Sequence, residues 1–273
     1  LSSLPANYLE NAPLAAAENE LPNAAAVLNS IVPLDPRQPY SMHTVIEYVV
    51  DARSFLEVQA QYARNAIVGL ARFAGQPVGI VAQEPEVLAG ALDIDASDKI
   101  ARFVRFCDAF NIPLVTFVDT PGFLPGVDQE YQGIIRHGAK IVYAYATATV
   151  PKISIVTRKA YGGAYVVMSS KNLGTDVTLA WPSAEVAVMG GEGAASILFR
   201  KEIAAAPDPD AARARYAEEY RARYLNPYTA AEGGFIDDVI EPAETRSRLI
   251  SALAALRQKA VIPMARRHGN MPA

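Results

Sequence analysis

The apolar and polar positions change their period along the chain, and the changes divide it into three stretches. Over residues 1–39 neither a period of 2 nor one of 3.6 persists, and Pro5, Pro13, Pro22, Pro33, Pro36 and Pro39 interrupt it repeatedly. This stretch reads as an extended arm or interdomain linker. The next stretch predicts a short helix over 44–50. Residues 56–62 then alternate, with Leu56, Val58, Ala60 and Tyr62 apolar and Glu57, Gln59 and Gln61 polar, which predicts a half-buried strand. Two further strands over 66–73 and 77–82, turning at Gly75 and Gln76, complete an antiparallel meander.

Beyond residue 90 the pattern becomes strand–helix alternation. Ile100, Phe103, Val104 and Cys107 fall at i, i+3, i+4 and i+7 of a helix that Ser97 can cap. An apolar strand over 114–118, one long helix over 130–146, a strand over 153–157 and a helix over 164–171 follow. Strands over 177–181 and 185–189, a helix from about 193, a charged helix over 210–224, a short strand over 235–240 and a last helix near Pro242 complete the chain. Apolar strands alternating with helices imply an α/β fold built on a largely parallel, helix-covered sheet.

Composition removes several function classes. The 51% hydrophobic and 20% charged content is that of a globular protein with a real core. A formal net charge of -4 without a basic run argues against a nucleic-acid surface. The apolar runs fall short of the ~20 residues that cross a bilayer, and no secretory signal opens the chain. The single cysteine, Cys107, fits a reducing compartment, cytoplasmic or mitochondrial matrix. Its place on an apolar helix face suits a packed small hydrophobe better than a nucleophile. A first residue of Leu, not Met, suggests a segment of a longer polypeptide or a processed start.

Several familiar motifs fail. DTPG at 119–122 matches a GTPase loop, but no phosphate-cradling loop with a directly following Lys precedes it. Gly191, Gly193 and Ser196 fall one residue short of a dinucleotide fingerprint. His43, His137 and His268 are scattered without metal-ligand spacing, so no metal is expected. No G-x-S-x-G elbow occurs.

What stands out is glycine where strands end: DTPGFLPG at 119–126, RKAYGGAY at 158–165, and Gly190, Gly191 and Gly193. In open parallel sheets ligands bind at the carboxyl ends of strands. At Gly162, Gly163 and Ala164 the chain would turn from strand to helix, leaving free N–H groups for a developing negative oxygen. Tight turning and close packing explain an isolated Gly-Gly pair at least as readily.

Taken in order, ALDIDASDK at 91–99, RFVRFCDAFNIP at 102–113, DTPGFLPG at 119–126, Gln129 and Glu130, GIIRHGAK at 133–140, RKAYGGAY at 158–165, AWP at 180–182 and AVMG at 187–190 form a long series. The series resembles the propionyl-CoA carboxylase β-subunit family, weakly from residue 40 and out to His268 and Asn270. The resemblance implies a crotonase-like superhelix of β-α units with an N-terminal antiparallel meander. Residues 40–273 would be the second, C-terminal domain of a two-domain carboxyltransferase subunit, and 1–39 the linker to the first.

The family moves CO2 from carboxybiotin, carried covalently on a partner, to the α carbon of a short-chain acyl-CoA, here propionyl- or acetyl-CoA. The cofactor itself serves as the base, so the protein mainly positions it and stabilises oxyanions. That explains why no catalytic triad is found. By resemblance the Gly163 and Ala164 amides hold the biotin ureido oxygen, with Gly162, Tyr161 and Tyr165 around the cofactor. The thioester oxyanion hole would lie in the N-terminal domain of the same or a neighbouring subunit. Biotin carboxylase, a biotin carrier and a homo-oligomer, hexameric by resemblance, complete the expected partners.

Three positions depart from the family pattern. Gln83, Glu84 and Pro85 replace Asn-Gln-Pro, Tyr40 and Ser41 replace Tyr-Asp, and Val166 stands where many propionyl-type members carry Asp. Val166 is accordingly the candidate for the acyl pocket, with helix packing an equal alternative. Tyr161 and Tyr165 fit a biotin slot and core packing alike, and Asp119 suits a turn as well as a ligand contact. Arg136, His137 and Lys140 share a helix that could face CoA or solvent. A biotin-dependent decarboxylase or transcarboxylase shares the half-reactions. A non-catalytic assembly module is a further alternative, and a crotonase-type hydratase would need a Glu pair at the glycine turn.

Overall fold

The computed structural model describes residues 2–33, 35–261, 269, 271 and 272. His268 and Asn270, at the weak end of the family resemblance, lie outside them. The helices are α1 (Ala24–Ile31), α2 (Met42–Val49), α3 (Ile94–Ala109), α4 (Val127–Gln132), α5 (Ile134–Thr147), α6 (Gly162–Val167), α7 (Gly191–Leu198), α8 (Arg200–Ala205), α9 (Pro209–Tyr224), α10 (Pro227–Glu232) and α11 (Thr245–Ala255). The strands are β1 (Leu56–Glu57), β2 (Ala66–Phe73), β3 (Gln76–Gln83), β4 (Leu114–Thr120), β5 (Lys152–Tyr161), β6 (Val177–Ala180), β7 (Glu185–Ala187) and β8 (Asp238–Val239).

All eight strands join one sheet in the order β1-β2-β3-β4-β5-β6-β8, with β7 also on β5. The β1–β2 and β2–β3 pairs are antiparallel and the rest parallel, as the change of sequence pattern implies. Both faces are covered, which is why the central strands read as nearly continuous apolar runs. Along β4, Leu114 and Val118 point into one core with Ile100, Val104 and Ile141. Val115 and Phe117 point into the other with Ile46, Val49 and Leu249. Cys107 is buried over Gly79, where a Cβ would lie 2.4 Å from its sulfur. Burial pushes the thiol well above its usual range, so it is an inert packing group, as expected.

Several expected boundaries move, each for a local reason. The strand expected over 56–62 stops at Glu57, and Leu56 and Tyr62 are 63% and 43% exposed, so the alternation does not mark a half-buried strand. Gln59 and Ala63 take positive φ, and the carbonyls of Tyr62, Ala63 and Ala66 accept from Lys99 Nζ. Asp93, not Ser97, caps α3 through the Ala96 amide at 2.8 Å. The single helix expected over 130–146 is broken by Gly133, whose left-handed backbone ends α4 and starts α5. The helix expected over 164–171 runs over 162–167 instead, because the chain turns at Met168 and Ser169.

Residues 1–39 are mostly irregular, as the broken pattern implies, but they contain α1, whose Leu28 enters the core beside α2. The stretch is bound down over the body. Arg246 of α11 donates to the Glu18 carbonyl at 2.8 Å, pairs with Glu20 at 2.8 Å, and reaches the Val49 carbonyl at 3.0 Å. Its remaining partner, Asp51, is buried, 2.6 Å away, and caps the β2–β3 turn through the Ala74 and Gly75 amides. Replacing Arg246 by Ala would strand that carboxylate. Loss of one partner from a buried pair costs about 3–5 kcal/mol. Arg246→Ala is therefore expected to lower the unfolding free energy by about that much in denaturant titration. A loss under about 1 kcal/mol would mean the pair behaves as an exposed one.

Candidate functional site

β5 is the longest strand, and its two halves have different neighbours. Residues 153–156 pair with β6, and 159–161 pair with β7. The register between β4 and β5 shifts between Val118 and Thr120, a bulge that re-aims the strand ends. Asp119 sits at that irregularity and is fully buried. Its carboxylate accepts from Arg158 Nε at 3.0 Å and from the Lys159 amide at 3.1 Å. Arg158 in turn donates to the Gln38 carbonyl and lies over the Tyr40 ring. Of the two readings left open for Asp119, the structure supports the structural one: it fixes the strand end and faces no open space.

At the end of β5 the chain turns directly into α6, as the glycines imply. The first N–H groups of a helix have no partner within it, so the amides of Gly163 and Ala164 are available. The two glycines are there for different reasons. Gly162 has φ +56°, and a Cβ would sit 2.9 Å from the Val188 carbonyl oxygen, so the turn itself requires it. Gly163 is exposed, has no positive φ, and a Cβ there would meet nothing nearer than the Phe123 ring at 3.9 Å. Neither backbone nor packing within this chain demands glycine at 163.

Helix α6 stands between two apolar hollows. One, about 530 Å³, is lined by Phe123, Leu124, Ile135, Gly138, Gly163 and Val166 among others. The second, about 430 Å³, is lined by Gly162, Tyr165, Val166, Val186, Val188 and Phe235 among others. The half-buried Val166 borders both hollows. Tyr161 is mostly buried, with its hydroxyl donating to the Glu185 carboxylate. Burial and that carboxylate hold its phenol far above the usual range. Tyr165 borders the second hollow; burial pushes its phenol up to about 12, and its hydroxyl finds no partner among the described residues.

Two residues that shape the site were not singled out from the sequence. Phe123 lies inside the DTPGFLPG series, and its ring occupies the space where a Cβ of Gly138 would stand, 2.7 Å away. A helix-interior glycine such as Gly138 was the available signal. Glu185, beneath Tyr161, had none. The basic group on α5 turns elsewhere: His137 Nδ1 and Lys140 Nζ both meet Asp98 of α3 at 2.9 Å, tying the two helices together. The departures near the start of the domain have local uses. Ser41 accepts the Thr44 amide at the head of α2, and Glu84 accepts from the Met42 amide and from His43 Nδ1. Among the described residues no group of His, Cys, Asp and Glu is arranged to hold a metal ion, and no helix is long and apolar enough to cross a membrane.

Comparison with known proteins places these features in a family. Residues 1–271 match the carboxyl transferase domain. The chain is 56% identical over 272 residues to the carboxyltransferase subunit of propionyl-CoA carboxylase from Haloferax mediterranei, covering all of this chain and 53% of that protein. It is 53% identical to the methylmalonyl-CoA decarboxylase α subunit of Propionigenium modestum, with 100% and 52% covered. The crystal structure of transcarboxylase 12S, described as a hexamer assembly with methylmalonyl-CoA and methylmalonic acid bound, superposes with a TM-score of 0.94 at 55% identity. That match covers 100% of this chain and 52% of that one, and it bears out the crotonase-like fold. The chain thus spans about half the length of the relatives it matches. With nearly every residue inside the family's pattern, the chain belongs to the carboxyl transferase domain family.

Proposed function

We propose that this chain is the carboxyltransferase half-site of a biotin-dependent acyl-CoA carboxylase, acting on propionyl-CoA, acetyl-CoA or both. In this reading residues 40–273 are the second crotonase-like domain and 1–39 the linker. The first domain of the same or a neighbouring subunit completes the site, and a biotin carrier and biotin carboxylase deliver the carboxyl group. A homo-oligomer, hexameric like the transcarboxylase 12S relative, and a cytoplasmic or mitochondrial-matrix location belong to the same reading.

The observation that carries it is Gly163. Its amide and that of Ala164 are free at the start of α6, and no side chain at 163 stands in front of them. The donors suit a planar ureido oxygen, because two adjacent amides can both point at one acceptor. Carboxybiotin, when bound, supplies the CO2 and the base. The chain's own residues do the rest. Gly163 and Ala164 stabilise negative charge on oxygen, Gly162 and Tyr161 set the turn, and Tyr165 and Val166 line the flanking hollows. Once the other domain covers the hollows, their apolar walls exclude water, which strengthens the amide contacts.

The relatives carry a second reading with them. A carboxylase, a decarboxylase and a transcarboxylase subunit match this chain at 56%, 53% and 55% identity, so overall likeness does not separate the three reactions. Transfer between carboxybiotin and acyl-CoA is shared by all three, so the overall reaction of the assembled complex separates them. ATP- and bicarbonate-dependent carboxylation of propionyl- or acetyl-CoA supports the carboxylase. Net loss of CO2 from methylmalonyl-CoA as the only activity would replace it with the decarboxylase.

Acyl choice is assigned to Val166. One methylene in an apolar pocket changes discrimination by roughly 1–3 kcal/mol, and a buried carboxylate beside an apolar tail is costlier still. The wild type is expected to accept both acetyl- and propionyl-CoA. Val166→Asp is expected to narrow the choice, shifting the kcat/KM ratios among acetyl-, propionyl- and butyryl-CoA by about tenfold. Unchanged ratios in a folded variant would make Val166 a packing residue.

A further inference from the structure

Resting on the reading that the Gly163 and Ala164 amides hold the ureido oxygen, we propose that Arg221, Glu185 and Tyr161 form a positioning relay through which helix α9 fixes those amides in place.

The residues that lead into the glycine turn are gripped by the segment 185–190. Glu185 lies beside Lys159 in the parallel β5–β7 pair, two residues before the turn. Its Oε2 accepts the Tyr161 hydroxyl, and Tyr161 is the last residue before α6. The Val188 carbonyl closes on Gly162, and Gly190 lies against the Tyr161 ring, where a Cβ would stand 3.3 Å from Cε2. A Tyr ring fixed at both its edge and its hydroxyl leaves the following peptide little freedom.

What fixes Glu185 comes from outside this segment. Its Oε1 faces Arg221 Nε at 3.4 Å, an ion pair without a linear hydrogen bond, while Arg221 Nη1 donates to Glu218 at 2.7 Å. Arg221 sits one turn after Ala217, whose carbonyl oxygen lies 2.8 Å from where a Gly191 Cβ would be. Helix α9 therefore meets the 185–191 segment at two points on one face, one by backbone contact and one by charge. Glu185 is only 9% exposed, so removing Arg221 takes away the ion-pair partner of its carboxylate and leaves it free to seek solvent. Tyr161 would lose its anchor, and the turn with it. These are positioning residues: none faces the reacting atoms.

The test uses the complete enzyme with Tyr161→Phe, Glu185→Gln, Arg221→Met, Arg221→Lys and the double variant Glu185→Gln/Arg221→Met. Arg213→Ala, an exposed residue of the same helix, serves as control. A misplaced oxyanion donor costs catalysis more than binding, and small misplacements cost up to about a hundredfold. The relay predicts kcat lowered about tenfold or more in the first three, with KM for acyl-CoA within about twofold of wild type. Melting temperature should stay near wild type in Tyr161→Phe and Glu185→Gln, while Arg221→Met, which removes one partner of a mostly buried pair, should lower it as well. Arg221→Lys should recover part of the loss, and the double variant should fall no further than the worse single one. Wild-type kcat in Tyr161→Phe and Glu185→Gln, losses in those two variants that follow melting temperature, or additive losses in the double variant would overturn the relay. Gly163→Val assayed in parallel distinguishes the two failures. If it is inactive while the relay variants are normal, only the relay is wrong. If it keeps full activity, the ureido-oxygen reading falls and the relay falls with it.

Discussion

Assayed alone, the 273-residue chain is expected to transfer almost no carboxyl group to acyl-CoA, even with carboxybiotin supplied. The glycine turn is present, but what surrounds it is open. Ile135, which lines the first hollow, is 78% exposed, and Val127 and Tyr131 on the adjoining α4 are 70% and 89% exposed. Exposed apolar clusters of this kind mark surfaces that another chain or domain covers. Until they are covered, water reaches the hollow and weakens every electrostatic contact made there. By the family resemblance the donors for the thioester oxygen also lie in the other domain, and lacking one such donor already costs about a hundredfold to a thousandfold. Rates should therefore fall by at least that factor relative to a complete subunit. Turnover by the isolated chain at a comparable rate, followed by product formation from labelled carboxybiotin, would remove the half-site account.

In a complete subunit, Gly163→Val is expected to lower the transfer rate by about a hundredfold or more while leaving the fold intact. The magnitude is that of losing one oxyanion donor. Retention of the fold follows from the space around residue 163, where a Cβ makes only ordinary contact with Phe123 and the backbone is not left-handed. Gly162→Val provides the contrast. With φ +56° and the Val188 carbonyl 2.9 Å away, it strains the turn by about 1–3 kcal/mol or more and should lower the melting temperature as well. Equal thermal stability and normal rates in Gly163→Val would show that the ureido oxygen is held elsewhere.

The sheet was legible in the sequence because its central strands are buried on both faces and flanked by helices with clear apolar stripes. The strand-to-helix turn at Gly162 was legible because glycines mark the strand ends. What was missed follows from interactions that local pattern does not carry. Residues 56–62 alternate as a strand does, yet the positive φ at Gln59 turns the chain after Glu57, and Lys99, far along the chain, ties down the Tyr62 carbonyl. Gly133 splits a helix whose apolar period runs through it, because period is blind to backbone handedness. Helix α1 lies in a proline-rich stretch and owes its place to the burial of Leu28 against α2, a tertiary effect. The different duties of Gly162 and Gly163 could not be told apart in a sequence where they are simply adjacent. The partnership of Tyr161 with Glu185 depends on β7 pairing with the far end of β5, which no short-range signal announces.

The most direct test of the account is the transfer of labelled carboxyl from carboxybiotin to propionyl-CoA by the complete subunit containing this chain. The account predicts acid-stable label on the α carbon of the acyl-CoA product, formed by the wild type and suppressed in Gly163→Val. A folded, fully assembled subunit that transfers no label from a competent carboxybiotin donor to any short-chain acyl-CoA would contradict it.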